Sequence, residues 1–144
     1  MSYGWGKTFF LYWLPALAWM GIIFRLSSVP GSSLPPMPSD FFDILAHKSV
    51  HFAEYTTLGF LFLRALRHSS PEQEITKLIF ISVIAIFLFG ASDEWHQSLV
   101  PGRYAKFADV VFDTIYAVLG MLVFSKMFDA GKKKSKNPLD TSRG

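Results

Sequence analysis

Apolar residues occur in four long blocks in this sequence, and few folds can bury blocks of that length. The windows 8–27, 44–67, 75–98 and 107–128 each approach the roughly 20 helical residues that cross about 30 Å of hydrocarbon. The stretch Leu78–Ser92 has no charged residue. A soluble domain with four core helices is the alternative, but no window has a polar face broad enough for water. The pattern predicts an all-α fold, an integral membrane four-helix transmembrane bundle.

The 144 residues divide into a membrane domain, 1–130, and a short basic tail, 131–144. The tail begins with Lys132-Lys133-Lys134-Ser135-Lys136, which accounts for much of the net charge of +3. A nucleic-acid-binding tail is conceivable, but a basic cluster after a span is more typical of the cytoplasmic side. We therefore expect a disordered cytoplasmic tail and no nucleic-acid partner.

The helix boundaries are predicted from the turn-forming and capping residues. Pro15 is expected to bend the first span, and Ser27–Pro38, rich in proline and serine, is expected to be a loop. Asp40 is the predicted N-cap of the second helix. Ser70 is the predicted N-cap of the third helix, with Pro71 at its first position. Gly131 is the predicted C-cap of the fourth helix.

The distribution of lysine and arginine predicts the orientation of the chain. Four spans place both termini on one side, together with the loop between the second and third spans. That side carries Arg64, Arg67, Lys77 and the basic tail, so both termini are predicted to lie in the cytoplasm of a multi-pass cell-membrane protein. The other ends of the spans would then lie in the outer half of the membrane.

Ionisable residues interrupt three of the apolar windows. Charged side chains in a bilayer cost several kcal/mol, so they usually face the protein interior or a water-filled cavity. On the second window, His47, His51 and Glu54 share one helical face, and Asp109 and Asp113 share a face of the fourth. The candidate pocket residues are Lys48, His51, Glu54, Tyr55, Asp93, Glu94, Gln97, Arg103, Asp109 and Asp113.

Several kinds of site fit these residues. A buried salt-bridge network without chemistry is one, with Arg103 as the counter-ion because a guanidinium can bind two carboxylate oxygens. A metal site is another, and the sequence leaves the metal open. The candidate ligands are His47, His51, Glu54, Asp93 and Glu94. The sequence indicates no particular cofactor.

Three segments resemble the VanZ-like family of small bacterial membrane proteins: Ser27-Ser28-Val29-Pro30-Gly31, the stretch from Lys48 to Gly59, and the stretch from Asp93 to Arg103. The family's polar positions correspond to Lys48, His51, Glu54, Tyr55, Asp93, Glu94, Gln97, Arg103 and Asp109. The chain departs from the usual pattern at His47, Asp113 and Tyr116. The resemblance implies a place in the bacterial envelope. Through the founding member, it also implies a link to resistance against the glycopeptide teicoplanin.

Three functions remain open. The one we favour is a binding protein whose extracytoplasmic polar pocket holds the headgroup of a membrane lipid, a lipid-linked cell-wall precursor or a glycopeptide. The second is a membrane enzyme, a metal-assisted hydrolase or transferase that acts on an outer-leaflet substrate. The third is a proton-coupled carrier, which would have to oligomerise because four spans are few for a carrier.

Overall fold

The computed structural model describes residues 5–33 and 38–136, and it consists of four helices with no strand in that part of the chain. Helix α1 comprises Trp5–Thr8, a π-helical turn at Phe9–Trp13 and Leu14–Ser27. The other helices are α2, Asp40–Ser69; α3, Ile75–Ser98; and α4, Phe107–Lys136. The predicted all-α bundle is confirmed.

Within the described parts of the chain, three helical segments are long and apolar enough to cross a membrane: Gly6–Ser27, Ile75–Ser98 and Phe107–Gly131. The predicted second span, 44–67, lies on α2, which is not among them. Its polar stripe lowers its hydropathy, but His51 and Glu54 are buried against the other helices. Large apolar side chains such as Phe80 and Leu88 are more than half exposed, as a lipid-facing surface requires. The chain is a membrane protein with three candidate spans.

Helices α2 and α4 run in the same direction and pack closely along their length. Phe52 contacts Tyr116, and Phe60 contacts Phe124 two turns further on. Near the middle of this interface, the backbones of α2 and α4 approach each other closely at Gly120 of α4. A Cβ on this residue would collide with a backbone carbonyl of α2. Small residues allow this close backbone approach in membrane helices. The two helices are therefore held in one register.

Helix α1 is antiparallel to α2 and is joined to it by two tryptophans. Trp13 Nε1–H donates to Ser69 Oγ at 2.8 Å, and Trp19 Nε1–H donates to the carbonyl oxygen of Glu54 at 2.8 Å. Pro15, where the sequence predicts a bend, is the second residue after the π-helical turn Phe9–Trp13. Proline has no N–H for the usual bond to the carbonyl four residues earlier, which favours such an irregularity.

Several predicted boundaries are wrong by a few residues. The N-cap of α2 is Ser39, and Asp40 is the first helical residue. Ser70 is the C-cap of α2, Pro71 lies in a turn, and α3 begins only after Glu74. The predicted N-cap and first helical position of α3 therefore belong to the preceding turn.

The end of α4 also differs from the prediction. The helix continues through Gly131 to Lys136, so the basic cluster is the last turn of α4 and glycine does not cap it. The rest of the predicted disordered tail, 137–144, lies outside the described residues.

Candidate functional site

A cavity of about 820 Å³ lies at the end of the bundle where α1 ends, α2 begins and the α3–α4 loop passes. We call it the polar cavity. Of the predicted pocket residues, six line it: Lys48, His51, Glu54, Gln97, Arg103 and Asp109. The other four, Tyr55, Asp93, Glu94 and Asp113, are buried, and three of these hydrogen-bond to lining residues. The sequence therefore identified residues that converge in space.

Two side-chain bridges connect α2 to α4 beside the polar cavity. Lys48 Nζ donates to Asp109 Oδ1, and the lysine also lies over the ring of Phe112. One turn deeper, His51 Nδ1 hydrogen-bonds both carboxylate oxygens of Asp113, at 3.0 and 3.2 Å. Both members of this second pair are buried. The helical spacing thus places the basic side chains of α2 opposite the acidic side chains of α4.

A third polar group joins α1 to α3. Ser27 Oγ–H donates to Asp93 Oδ2 at 2.8 Å, and Gln97 Nε2–H donates to the same oxygen at 3.0 Å. Ser27 was predicted to lie in a loop, but it is the last residue of α1 and is buried. The one sequence feature that could have marked Ser27 as a site residue is its place in the Ser27-Ser28-Val29-Pro30-Gly31 segment. The proline-rich composition after it concealed that the helix extends this far.

Arg103 forms no direct ion pair with a carboxylate within the described residues, so the predicted contact of its guanidinium with two carboxylate oxygens is wrong. Its Nε–H donates to the carbonyl oxygen of Val29 at 3.0 Å, and Nη2–H donates to that of Leu26 at 3.4 Å. These carbonyls lie at the C-terminal end of α1, where a cation is favoured by the helix dipole. Arg103 therefore fastens the α3–α4 loop to α1 while its side chain also lines the cavity.

Two glycines allow the loops at this end to touch. Gly31 N–H donates to the carbonyl oxygen of Pro101 at 3.1 Å, and a Cβ on Gly31 would collide with the backbone of Gly102. Gly102 itself has φ +75°, in the left-handed region that favours glycine. In the Pro-Gly-Arg sequence of the loop, the proline and the glycine contact the backbone at Gly31, and the arginine binds carbonyl oxygens at the end of α1.

Some buried polar atoms of the site have no hydrogen-bond partner among the described residues. These atoms are Glu54 Oε1, Tyr55 Oη, Thr56 Oγ1 and Asp93 Oδ1. Glu94 differs, because its Oε2 accepts the backbone N–H of Lys106 at 2.8 Å. Only Glu54 both lines the polar cavity and has a buried, unpartnered oxygen. A buried acceptor without a donor is costly, so Glu54 is the group most in need of a ligand.

The predicted metal ligands are not arranged as a metal site. Across residues 5–33 and 38–136, no three His, Cys, Asp or Glu side chains are grouped so that they could hold a metal ion. His51 Nδ1 is bound to Asp113, and Asp93 Oδ2 accepts the hydroxyl of Ser27, so these two side chains are held by different helices and do not converge on one point.

Comparison with known proteins agrees with the resemblance found in the sequence. The model of the VanZ/LLP1 family matches residues 10–128, which include all four helices in large part and every residue of the polar cavity. No curated protein and no solved structure matches the chain. Since the family model matches well over half of the sequence, the chain belongs to the VanZ/LLP1 family.

Proposed function

We propose that this protein binds, in the polar cavity, the headgroup of a lipid-linked or glycopeptide-type molecule of the bacterial cell envelope. In this proposal both termini are cytoplasmic and the cavity opens to the extracytoplasmic side, as the distribution of lysine and arginine indicates. Holding such a molecule at the membrane surface would also contribute to teicoplanin resistance.

The observation that carries the proposal is the carboxylate of Glu54. The residue is only 7% exposed, and its Oε1 has no donor among the described residues, although the side chain lines the cavity. A hydroxyl or ammonium group of a ligand would satisfy this acceptor. Sugar and amino headgroups offer such donors, whereas simple hydrocarbon does not.

The size and lining of the polar cavity support the same proposal. Its volume of about 820 Å³ falls within the roughly 300–1,000 Å³ typical of small-molecule sites. Polar groups from Glu54 and Arg103 share the cavity with apolar side chains such as Val50 and Phe112. This combination suits a molecule with a polar headgroup and an apolar chain.

Replacing Glu54 with glutamine tests the proposal. We expect Glu54→Gln to weaken headgroup binding about 10- to 100-fold, because a hydrogen bond to a charged group contributes about 1.5–3 kcal/mol. Binding is measured as a thermal shift of purified protein in detergent. The probes are teicoplanin and mixed micelles of phosphatidylglycerol or phosphatidylethanolamine.

The matched control is Glu72→Gln, an exposed glutamate in the turn at the other end of the bundle. It should bind every probe as the unmodified protein does. Equal binding by the two variants would remove Glu54 from the site. If the unmodified protein gave no thermal shift with any probe, the proposed function itself would be wrong.

A further inference from the structure

His51 and Asp113 form a buried pair whose free end faces the polar cavity. The Nδ1 atom of His51 is held by both oxygens of Asp113, and the ring also lines the cavity. When Nδ1–H donates to a carboxylate, the neutral imidazole carries its lone pair on Nε2. Nε2 is therefore the ring nitrogen available to a molecule in the cavity. A carboxylate that fixes the tautomer of a histidine in this way is common where histidine does chemistry.

A second group that can transfer protons lies beside this histidine. Glu54 follows His51 by three residues on the same face of α2, and both side chains line the polar cavity. Its Oε1 has no hydrogen-bond partner among the described residues, so this oxygen can give or take a proton. The cavity thus offers a nucleophilic nitrogen and a carboxyl group one turn apart.

The polar cavity also contains cations that suit a phosphate group. Arg103, Lys48 and Lys106 all line it. Lys48 is bound to Asp109, and Arg103 uses Nε and Nη2 for backbone carbonyls. The guanidinium still has its Nη1 hydrogens, which donate to no residue in the described parts of the chain. Asp40, Asp43 and Asp109 line the cavity too, so it is the Nη1 group of Arg103, rather than an overall positive charge, that would bind a phosphate monoester beside His51.

From this geometry we propose that the protein removes the phosphate from a membrane lipid that ends in a phosphate monoester, with His51 as the nucleophile. The inference rests on the proposed headgroup binding and names the headgroup. Nε2 of His51 forms a bond to phosphorus while the ester P–O bond breaks. On binding, the Glu54 carboxylate accepts the acidic proton of the phosphate monoester, and the leaving alkoxide then takes that proton and becomes the lipid alcohol.

The second half of the reaction restores the site. Water gives a proton to the Glu54 carboxylate while its oxygen bonds to phosphorus, and the P–N bond to His51 breaks. Glu54 then gives this proton to the departing phosphate, which leaves as dihydrogen phosphate, so His51 is again neutral and Glu54 is again a carboxylate. The overall change is hydrolysis of a lipid phosphate to a lipid alcohol and phosphate. Asp113 acts through His51, so it is a positioning residue.

The test uses purified protein in mixed micelles that contain phosphatidic acid, with release of inorganic phosphate as the readout. The unmodified protein should release phosphate and, when quenched in alkali, should carry an acid-labile phosphate. We expect His51→Asn to reduce release at least about 1,000-fold and to abolish the trapped phosphate. Asp113→Asn, which keeps one acceptor oxygen for Nδ1–H, should lower kcat about 10- to 100-fold and leave KM unchanged.

His68→Asn is the matched control, because His68 lies at the opposite end of α2 and stacks on Tyr12. It should release phosphate as the unmodified protein does, and a loss of release confined to His51→Asn excludes a contaminating phosphatase as the source. Binding of phosphatidic acid by the unmodified protein without phosphate release would overturn the inference and leave the proposed function intact. Equal phosphate release by His51→Asn would overturn it as well. Absence of binding to every headgroup would overturn both.

Discussion

Substitution of Gly120 by alanine should separate α2 from α4 and destabilise the bundle. A Cβ at this position would collide with the carbonyl oxygen of Thr56 and approach the backbone nitrogen of Phe60. Backbone atoms of a packed helix cannot swing aside as the tip of a side chain can, so the helices must move apart. Overpacking of this kind costs about 1–3 kcal/mol and occasionally more. Thermal unfolding in detergent measures the loss.

The control for this prediction is Gly21→Ala in α1, where an added Cβ would have no atom within 4 Å. There we expect no loss, and even a small gain, because alanine favours helix over glycine. If the melting temperatures of the two alanine variants agreed, the close approach at Gly120 would be unimportant for the packing of α2 against α4.

Removal of the Asp113 carboxylate should be the most destabilising change at the site. In Asp113→Ala, the buried Nδ1 of His51 would lose both of its acceptor oxygens. Breaking one side of a buried pair costs about 3–5 kcal/mol, because the other side stays buried without a partner. The free energy of unfolding of the variant, measured in detergent, gives this cost directly.

A double substitution distinguishes the energy of the interaction between His51 and Asp113 from the cost of burying these two polar groups. Replacing both members of a buried pair with apolar residues is often neutral or stabilising. We therefore expect His51→Leu combined with Asp113→Leu to recover most of the stability that either single leucine variant loses. Additive losses in the two single variants would mean that His51 and Asp113 do not interact across the interface.

The sequence pointed to six of the residues that line the polar cavity, because periodicity and the cost of charge in a membrane are local properties. His51 and Glu54 had to face inward on α2, and Asp113 on α4, wherever the helices lay. The contacts between these side chains across different helices were not predictable. The pairing of His51 with Asp113 depends on α2 and α4 being parallel and on the register set by the close contact at Gly120.

The errors occurred where local composition competed with tertiary contacts. Proline and serine after Ser27 indicated a loop, yet the serine stays helical and donates to Asp93 across the bundle. Arg103 was expected to bind a carboxylate, but its Nε–H and Nη2–H donate to backbone carbonyl oxygens at the end of α1. In both cases the deciding partner is more than 60 residues away in the chain, beyond the reach of any local pattern.

The existence of a water-filled cavity that is open to ligands can be measured by cysteine labelling, since the chain has no cysteine of its own. The comparison is between Ala46→Cys, which lines the polar cavity, and Ala85→Cys, an equally half-buried position on α3 that does not. Each variant is treated with a charged maleimide in nanodiscs, where both membrane faces are accessible. Labelling of Ala46→Cys at least about ten times faster than that of Ala85→Cys is the expected result, since only the hydrated position offers its thiolate to a charged reagent. Equal, slow labelling of the two would mean that the carboxylates and histidines are sealed in a dry core, and that no ligand reaches them.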